Sequence, residues 1–207
     1  VINPVGMEEC HTGAVAREIL KNGLRFPIEQ YTPEYYENSI IAGALLSLAP
    51  VSLLGLSRLS VEIAPFVLSF ATLMIFISLL KKAGYRSGIW YFVVSNFFVS
   101  GVFAYNTMDS VGNHVIGVFI GALILRFFYD ARLTGSRRSF YALMFISGFG
   151  LFAHMGSLLY AGLCAVVCLM FRAAEQERGP RLAAKEKLFG AAFLLIGALP
   201  FFIFIKK

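Results

Sequence analysis

The sequence predicts an all-α protein: a polytopic integral membrane helical bundle of about six transmembrane helices, with external juxtamembrane helices. Three observations predict it. Of 207 residues, 58% are hydrophobic and only 14% are charged, and the mean hydropathy is +0.73. A soluble domain carries about 25% charged residues, and its surface could not accommodate so much apolar side chain. The apolar residues fall into long runs, and the basic residues crowd into the gaps between them. A soluble enzyme, a disordered tail, a collagen-like chain and a disulfide scaffold are thereby excluded.

The runs are 38–56, 61–80, 88–105, 110–129, 139–153, 155–171 and 188–205. A crossing needs about 20 residues. Runs 61–80, 88–105, 110–129 and 188–205 meet that length. The block 139–171 is too long for one crossing and short for two. Gly148, Gly150, His154 and Gly156 lie at its middle, so it reads as two short helices meeting at a break.

Charge fixes the direction of travel. Lys81, Lys82 and Arg86 give one gap +3. Asp130 against Arg132, Arg137 and Arg138 gives the next +2. Five basic and three acidic residues between 172 and 187 give the third +2. Segment 1–37 has three basic residues against six glutamates, or −3. The positive-inside rule places the three basic gaps in the cytoplasm and 1–37 outside, at a plasma (bacterial inner) membrane crossed several times. The overall net charge of +6 therefore reports orientation, and nucleic acid is not an expected partner. Parity then leaves two readings: 38–56 is a plain seventh span and 1–37 is cytoplasmic, or 1–37 is external and 38–56 enters without crossing, the second being preferred. Pro50 breaks that run, Gly43 and Gly55 weaken it, and a re-entrant or interfacial helix results. The chain divides into an external region, 1–60, and a transmembrane helical module, 61–207.

The external region carries its own signals. Thr12 is set as the N-cap of a short amphipathic helix through Asn22, with Gly23 at C′ and Ala14, Val15, Ile19 and Leu20 as its apolar stripe. Thr32-Pro33 starts a further helix, and Tyr31, Tyr35 and Tyr36 suit an aromatic belt. Three cysteines make no paired framework. Cys164 and Cys168, four apart, read as small residues packing between helices.

The candidate site comes from polar residues that are out of place. Glu8, Glu9 and His11 precede the amphipathic helix, Asp109 lies at the junction of two spans, His114 follows inside an apolar run, and His154 sits at the break. On the topology above they share the external side. Ionisable groups at membrane depth are costly and mark a function or a partner. Each also has an ordinary reading: helix-terminal acids for Glu8 and Glu9, a cap for Asp109, packing histidines for His114 and His154. The sharper one sets a carboxylate of the first external segment opposite one of the next external turn. Such a carboxylate in a low-dielectric pocket acts as a general base; alternatively, carboxylates with a histidine hold a divalent cation. No HExxH, CxxC, P-loop or GxSxG motif is present.

Glu8-Glu9 followed by Gly13-Ala14-Val15-Ala16-Arg17-Glu18-Ile19-Leu20-Lys21-Asn22-Gly23 resembles the first external loop of GT-C superfamily glycosyltransferases, of the polyprenyl-phosphate-sugar dependent, family 39-like kind. Leu54-Gly55-Leu56-Ser57 resembles the close of their juxtamembrane helix, which does not cross the membrane. Asn106-Thr107-Met108-Asp109 resembles their second acidic site, and Gly190 to Pro200 the helix that closes their transmembrane module. In that family a transmembrane helix precedes the acidic loop and an external domain follows, so this stretch is expected to be the front module of a larger design.

The resemblance implies transfer of a sugar from a polyprenyl-phosphate donor to an acceptor on the external face, with inversion. It makes Glu8 or Glu9 the general base and Asp109 a second acid that orients the acceptor or a cation. It assigns the lipid phosphate to Arg17, Arg25 or Arg58, Arg58 being preferred, because a phosphate leaving group needs a cation as its charge grows. His11, His114 and His154 are then substrate-binding candidates. The alternative is a non-catalytic membrane subunit, a degenerate or partial module of that fold packed within a larger membrane complex. The small-residue faces Gly117/Gly121 and Gly190/Gly197 suit such helix packing. A transporter or flippase using Asp109 and His114 ranks third.

Overall fold

The computed structural model describes residues 7–23, 37–98, 114–154, 156–174 and 184–205. Every regular element among them is a helix: α1 (Met7–Asn22), α2 (Glu37–Leu54), α3 (Arg58–Lys82), α4 (Arg86–Phe98), α5 (His114–Thr134), α6 (Arg137–Ala153), α7 (Ser157–Ala174) and α8 (Ala184–Ile205). Among the described residues, α3 and α5 are long and apolar enough to cross a membrane. Phe66 and Phe70 of α3 are 64% and 58% exposed. A helix buried in a soluble core would cover such side chains; an outward-facing phenylalanine surface suits lipid. The chain separates into two packing units, 1–116 and 117–207.

In the first unit α1 packs on α2 and on the start of α3. Helix α1 begins at Met7, five residues before the expected N-cap. Thr12 lies inside it and is buried with Val15, Ala16 and Ile19, at the i, i+3, i+4, i+7 spacing of one helix face. The stripe meets Ile40, Ala44 and Val51 of α2 and Val61 of α3. Leu20, expected in the stripe, is exposed. Gly23 ends α1 at φ +64°, the left-handed geometry expected at C′.

Pro50 does not break the second run: α2 continues through it to Leu54. Proline removes one backbone donor, and burial of Val51 one residue later holds the turn beyond it in place. The apolar part of α2, Ile40–Leu54, is shorter than a crossing. Helix α3 starts with a capping box. The Ser57 hydroxyl accepts from the Ser60 N–H at 3.2 Å, and the Ser57 N–H donates to the Ser60 hydroxyl at 3.0 Å. The Thr32-Pro33 start and the three belt tyrosines lie outside the described residues, as does the C-terminal part of run 88–105.

In the second unit the block 139–171 is broken as the sequence predicts, with α6 ending at Ala153 and α7 beginning at Ser157. Helix α6 packs closely on α8 through glycines. A Cβ on Gly148 would lie 2.1 Å from the Leu194 carbonyl oxygen, and one on Gly197 2.1 Å from that of Phe145. Toward the other end of the pair, Tyr141 stacks on Phe193 with centroids 5.3 Å apart, and Arg137 pairs with Glu186. Cys164 is buried in α7, in keeping with a packing role.

Candidate functional site

Helix α1 carries Glu8 and Glu9 in its first turn, followed at once by half-buried His11. Glu8 stands one turn before Thr12 and Glu9 one turn before Gly13. Both later positions are packed. Thr12 is buried, and a Cβ on Gly13 would lie 2.9 Å from Leu56 Cδ1 and 3.2 Å from Val61 Cγ2. The absence of a side chain at Gly13 thus lets α1 lie against the α2–α3 junction. That contact sets α1, at Gly13, beside the start of α3, where Arg58 is the first helical residue.

Arg58 is ion-paired. Its Nε donates to Glu62 Oε1 at 2.5 Å, an i, i+4 pair with both side chains partly exposed. Glu62 was not among the sequence-derived candidates, because it sits at the head of the apolar run 61–80. Its spacing of four from Arg58 is the signal that would have found it.

A small cavity of about 20 Å³ lies beneath Thr12, lined also by Gly43 and Ser47 of α2, Val61 and Pro65 of α3, and Val115 and Ile116 of α5. It has room for about one water molecule and none for a sugar. Its value is positional: it shows that the first turn of α5 reaches the helix that carries Glu8 and Glu9. His114, exposed, is the first residue of that turn. Asp109 lies outside the described residues, five positions before His114.

His154 occupies a different setting, in the second unit. It is the extended residue that ends α6, with φ −169°. Its N–H donates to the Gly150 carbonyl at 2.9 Å, and its carbonyl accepts from the Ser157 N–H at 2.9 Å. Its Nδ1 accepts from the Gly156 N–H at 3.0 Å, which leaves the proton of the neutral ring on Nε2. The ring lies against Gly117, where a Cβ would be 2.6 Å from Nδ1. This histidine packs and shapes the break, so the ordinary reading fits its geometry. Gly121 likewise receives the ring of Tyr160, and Gly190 that of Phe140. The small-residue faces singled out in the sequence are therefore filled from within the chain. Ser157, 1% exposed, was missed by sequence reasoning. Its hydroxyl has no hydrogen-bond partner among the described residues and presses on Gly150.

Among the described residues no three His, Cys, Asp or Glu side chains are grouped to hold a metal ion. Comparison with family models, with characterised proteins and with solved structures finds no match to this chain.

Proposed function

We propose that this chain is the membrane module of a glycosyltransferase that uses a polyprenyl-phosphate sugar, with its site on the external face of a bacterial inner membrane. The observation that carries this is the shared cavity. Thr12, four residues after Glu8, and Val115 and Ile116, six and seven residues after Asp109, line one small space. The helix that bears Glu8 and Glu9 thereby meets the first turn of α5, about a hundred residues on in sequence.

In this proposal the chain crosses the membrane about six times, α2 stays at the external surface, and the basic gaps face the cytoplasm. Glu8 or Glu9 takes the proton from the acceptor hydroxyl or amine as that atom bonds to the anomeric carbon. The bond from that carbon to the phosphate oxygen breaks with inversion, and the lipid phosphate leaves with the electron pair. Asp109 orients the acceptor or a divalent cation. Arg58, already at the head of α3, neutralises the leaving phosphate, exchanging its contact with Glu62 for it.

The test is single replacement of Glu8, Glu9 and Asp109 by alanine, with turnover of the lipid-linked sugar and surface glycan as readouts. At least one replacement is expected to reduce transfer on the order of 100-fold or more, the usual loss with a general base. Unchanged glycan in all three sinks the assignment. If the protein also co-purifies in fixed ratio with another membrane protein, the subunit alternative takes its place. Cysteine labelling at Ser39 and Ser57 tests the topology: reaction from opposite sides would mean that α2 crosses.

A further inference from the structure

Helix α2 is apolar on both sides, yet among the described residues it is covered on one side only. Ile40, Ala44 and Val51 pack on α1. Leu45, Leu46, Ala49, Ser52 and Leu53 are exposed, Leu53 at 82%. With 3.6 residues per turn they fall within one arc of about 120°, centred opposite the covered side. From Asn38 to Ser57 the sequence has no charged residue and no histidine. The one hydroxyl on the exposed side, that of Ser52, donates to the Ala49 carbonyl at 2.8 Å, back into its own helix. Its donor is satisfied without water.

Helix α1 has the opposite chemistry on its outer side. Val15, Ala16 and Ile19 face α2, and the exposed Arg17 and Lys21, four residues apart, lie on the far side of the helix. The pair is therefore layered: cations, then α1, then the packed apolar contact, then α2, then leucine. Opposed charged and apolar faces are the mark of structure that lies in an interface plane. The apolar part of α2, Ile40–Leu54, is about 22 Å long, too short to cross.

We propose that the α1–α2 pair lies flat on the membrane, with the leucine face of α2 immersed in the upper acyl region of one leaflet and Arg17 and Lys21 of α1 turned to water. Continuity selects lipid as the occupant over a partner protein. Past Gly55, which turns the chain at φ +72°, the exposed residues run on through Leu56 and Leu59 into Phe66 and Phe70 of α3. Leu59, Phe66 and Phe70 stand at i, i+7 and i+11, one stripe of a helix long enough to span. The inference deepens the surface placement of α2 in the proposed topology. It rests on the membrane placement of α3 and on none of the proposed chemistry.

Trp90 is the one tryptophan of the chain, so Trp90→Phe gives a dark background. Leu53→Trp, Lys21→Trp and Phe66→Trp are each added to it, at exposed positions where a larger side chain meets no packed neighbour. Each full chain is reconstituted into phosphatidylcholine vesicles. The quenchers are bromine near the top of the acyl chains, bromine near their ends, and iodide on both sides of the membrane. The Leu53→Trp probe is expected to be shielded from iodide and quenched at least about threefold more by upper than by terminal bromine, as for a face buried ~5–10 Å deep. The Lys21→Trp probe should answer to iodide and to neither bromine. The Phe66→Trp probe should answer to bromine, which checks the placement of α3 by itself. Iodide quenching of Leu53→Trp overturns the lipid contact and, with Phe66→Trp still quenched by bromine, leaves the membrane placement standing. Bromine failing at both positions overturns both. Stronger quenching of Leu53→Trp by terminal bromine overturns the flat arrangement, because α2 then enters the bilayer. Shielding of Leu53→Trp from bromine and iodide alike overturns lipid as the occupant in favour of protein.

Discussion

Two helix pairs in this molecule solve the same packing problem by opposite means. Between α1 and α2 the space is filled: Val15, Ala16 and Ile19 interlock with Ile40, Ala44 and Val51. Between α6 and α8 the space is removed: Gly148 and Gly197 bring each backbone against the other. In lipid the first device gains little from the hydrophobic effect, because the surroundings are as apolar as the core. The second gains from dispersion contacts over a close approach and suits a membrane. The proposed topology, with an external region ahead of a transmembrane module, would put the filled pair where water supplies a driving force and the glycine pair where it does not.

The comparison breaks most readily at Gly148. A methyl group there meets the Leu194 carbonyl oxygen at 2.1 Å, and main chain cannot rotate aside as a side chain does. Gly148→Ala must push α6 and α8 apart and undo the Tyr141–Phe193 stack. The expected cost is more than ~4 kcal/mol, at the top of the range for single substitutions. Equilibrium unfolding in mixed detergent and SDS micelles measures it. A loss below ~1 kcal/mol would mean that the two helices do not approach this closely.

The complementary change is Ile40→Ala in the filled interface. It deletes a buried side chain and leaves a cavity, at an expected ~2–4 kcal/mol. The expected partition matters as much as the size. Placed in water-facing structure, Ile40→Ala should lower the urea midpoint for exposure of α1 to protease while leaving SDS resistance of α6 and α8 intact. Joint loss of both would contradict the division of the chain into two packing units.

Much of this was legible in the sequence, and the misses share a cause. The end of α1 at Gly23 and the break at His154 follow from local backbone preferences, which glycine states openly. The start of α1 does not. Thr12 has the chemistry of an N-cap, but its burial with Val15, Ala16 and Ile19 outweighs that local preference and draws the helix back to Met7. Pro50 likewise predicts a break locally, while packing around Val51 carries α2 through it. At the candidate site the acids at 8 and 9 were visible as residues. The meeting of Thr12 with Val115 and Ile116 was not, because about a hundred residues separate them and no periodicity encodes so distant a contact. Glu62 was hidden by the apolar run that follows it.

The finest separation of the two packing devices comes at Gly117, where an intermediate case is built. A Cβ there lies 2.6 Å from His154 Nδ1 and 2.9 Å from Cγ, so the obstacle is a side chain. Gly117→Ala should cost ~1–3 kcal/mol, less than Gly148→Ala, because the imidazole can shift at the expense of its hydrogen bond from the Gly156 N–H. His154→Ala removes the obstacle, so the double variant should recover a large part of that loss, with a coupling of ~0.5–2 kcal/mol in a double-mutant cycle. Gly162, in α7 with open space where its Cβ would be, supplies the control: Gly162→Ala should be neutral or gain up to ~1 kcal/mol from helix propensity. The same His154→Ala replacement should give no rescue of Gly148→Ala, where main chain is the obstacle. Rescue there, or its absence at Gly117, would remove the distinction between a glycine that admits a side chain and one that admits another backbone.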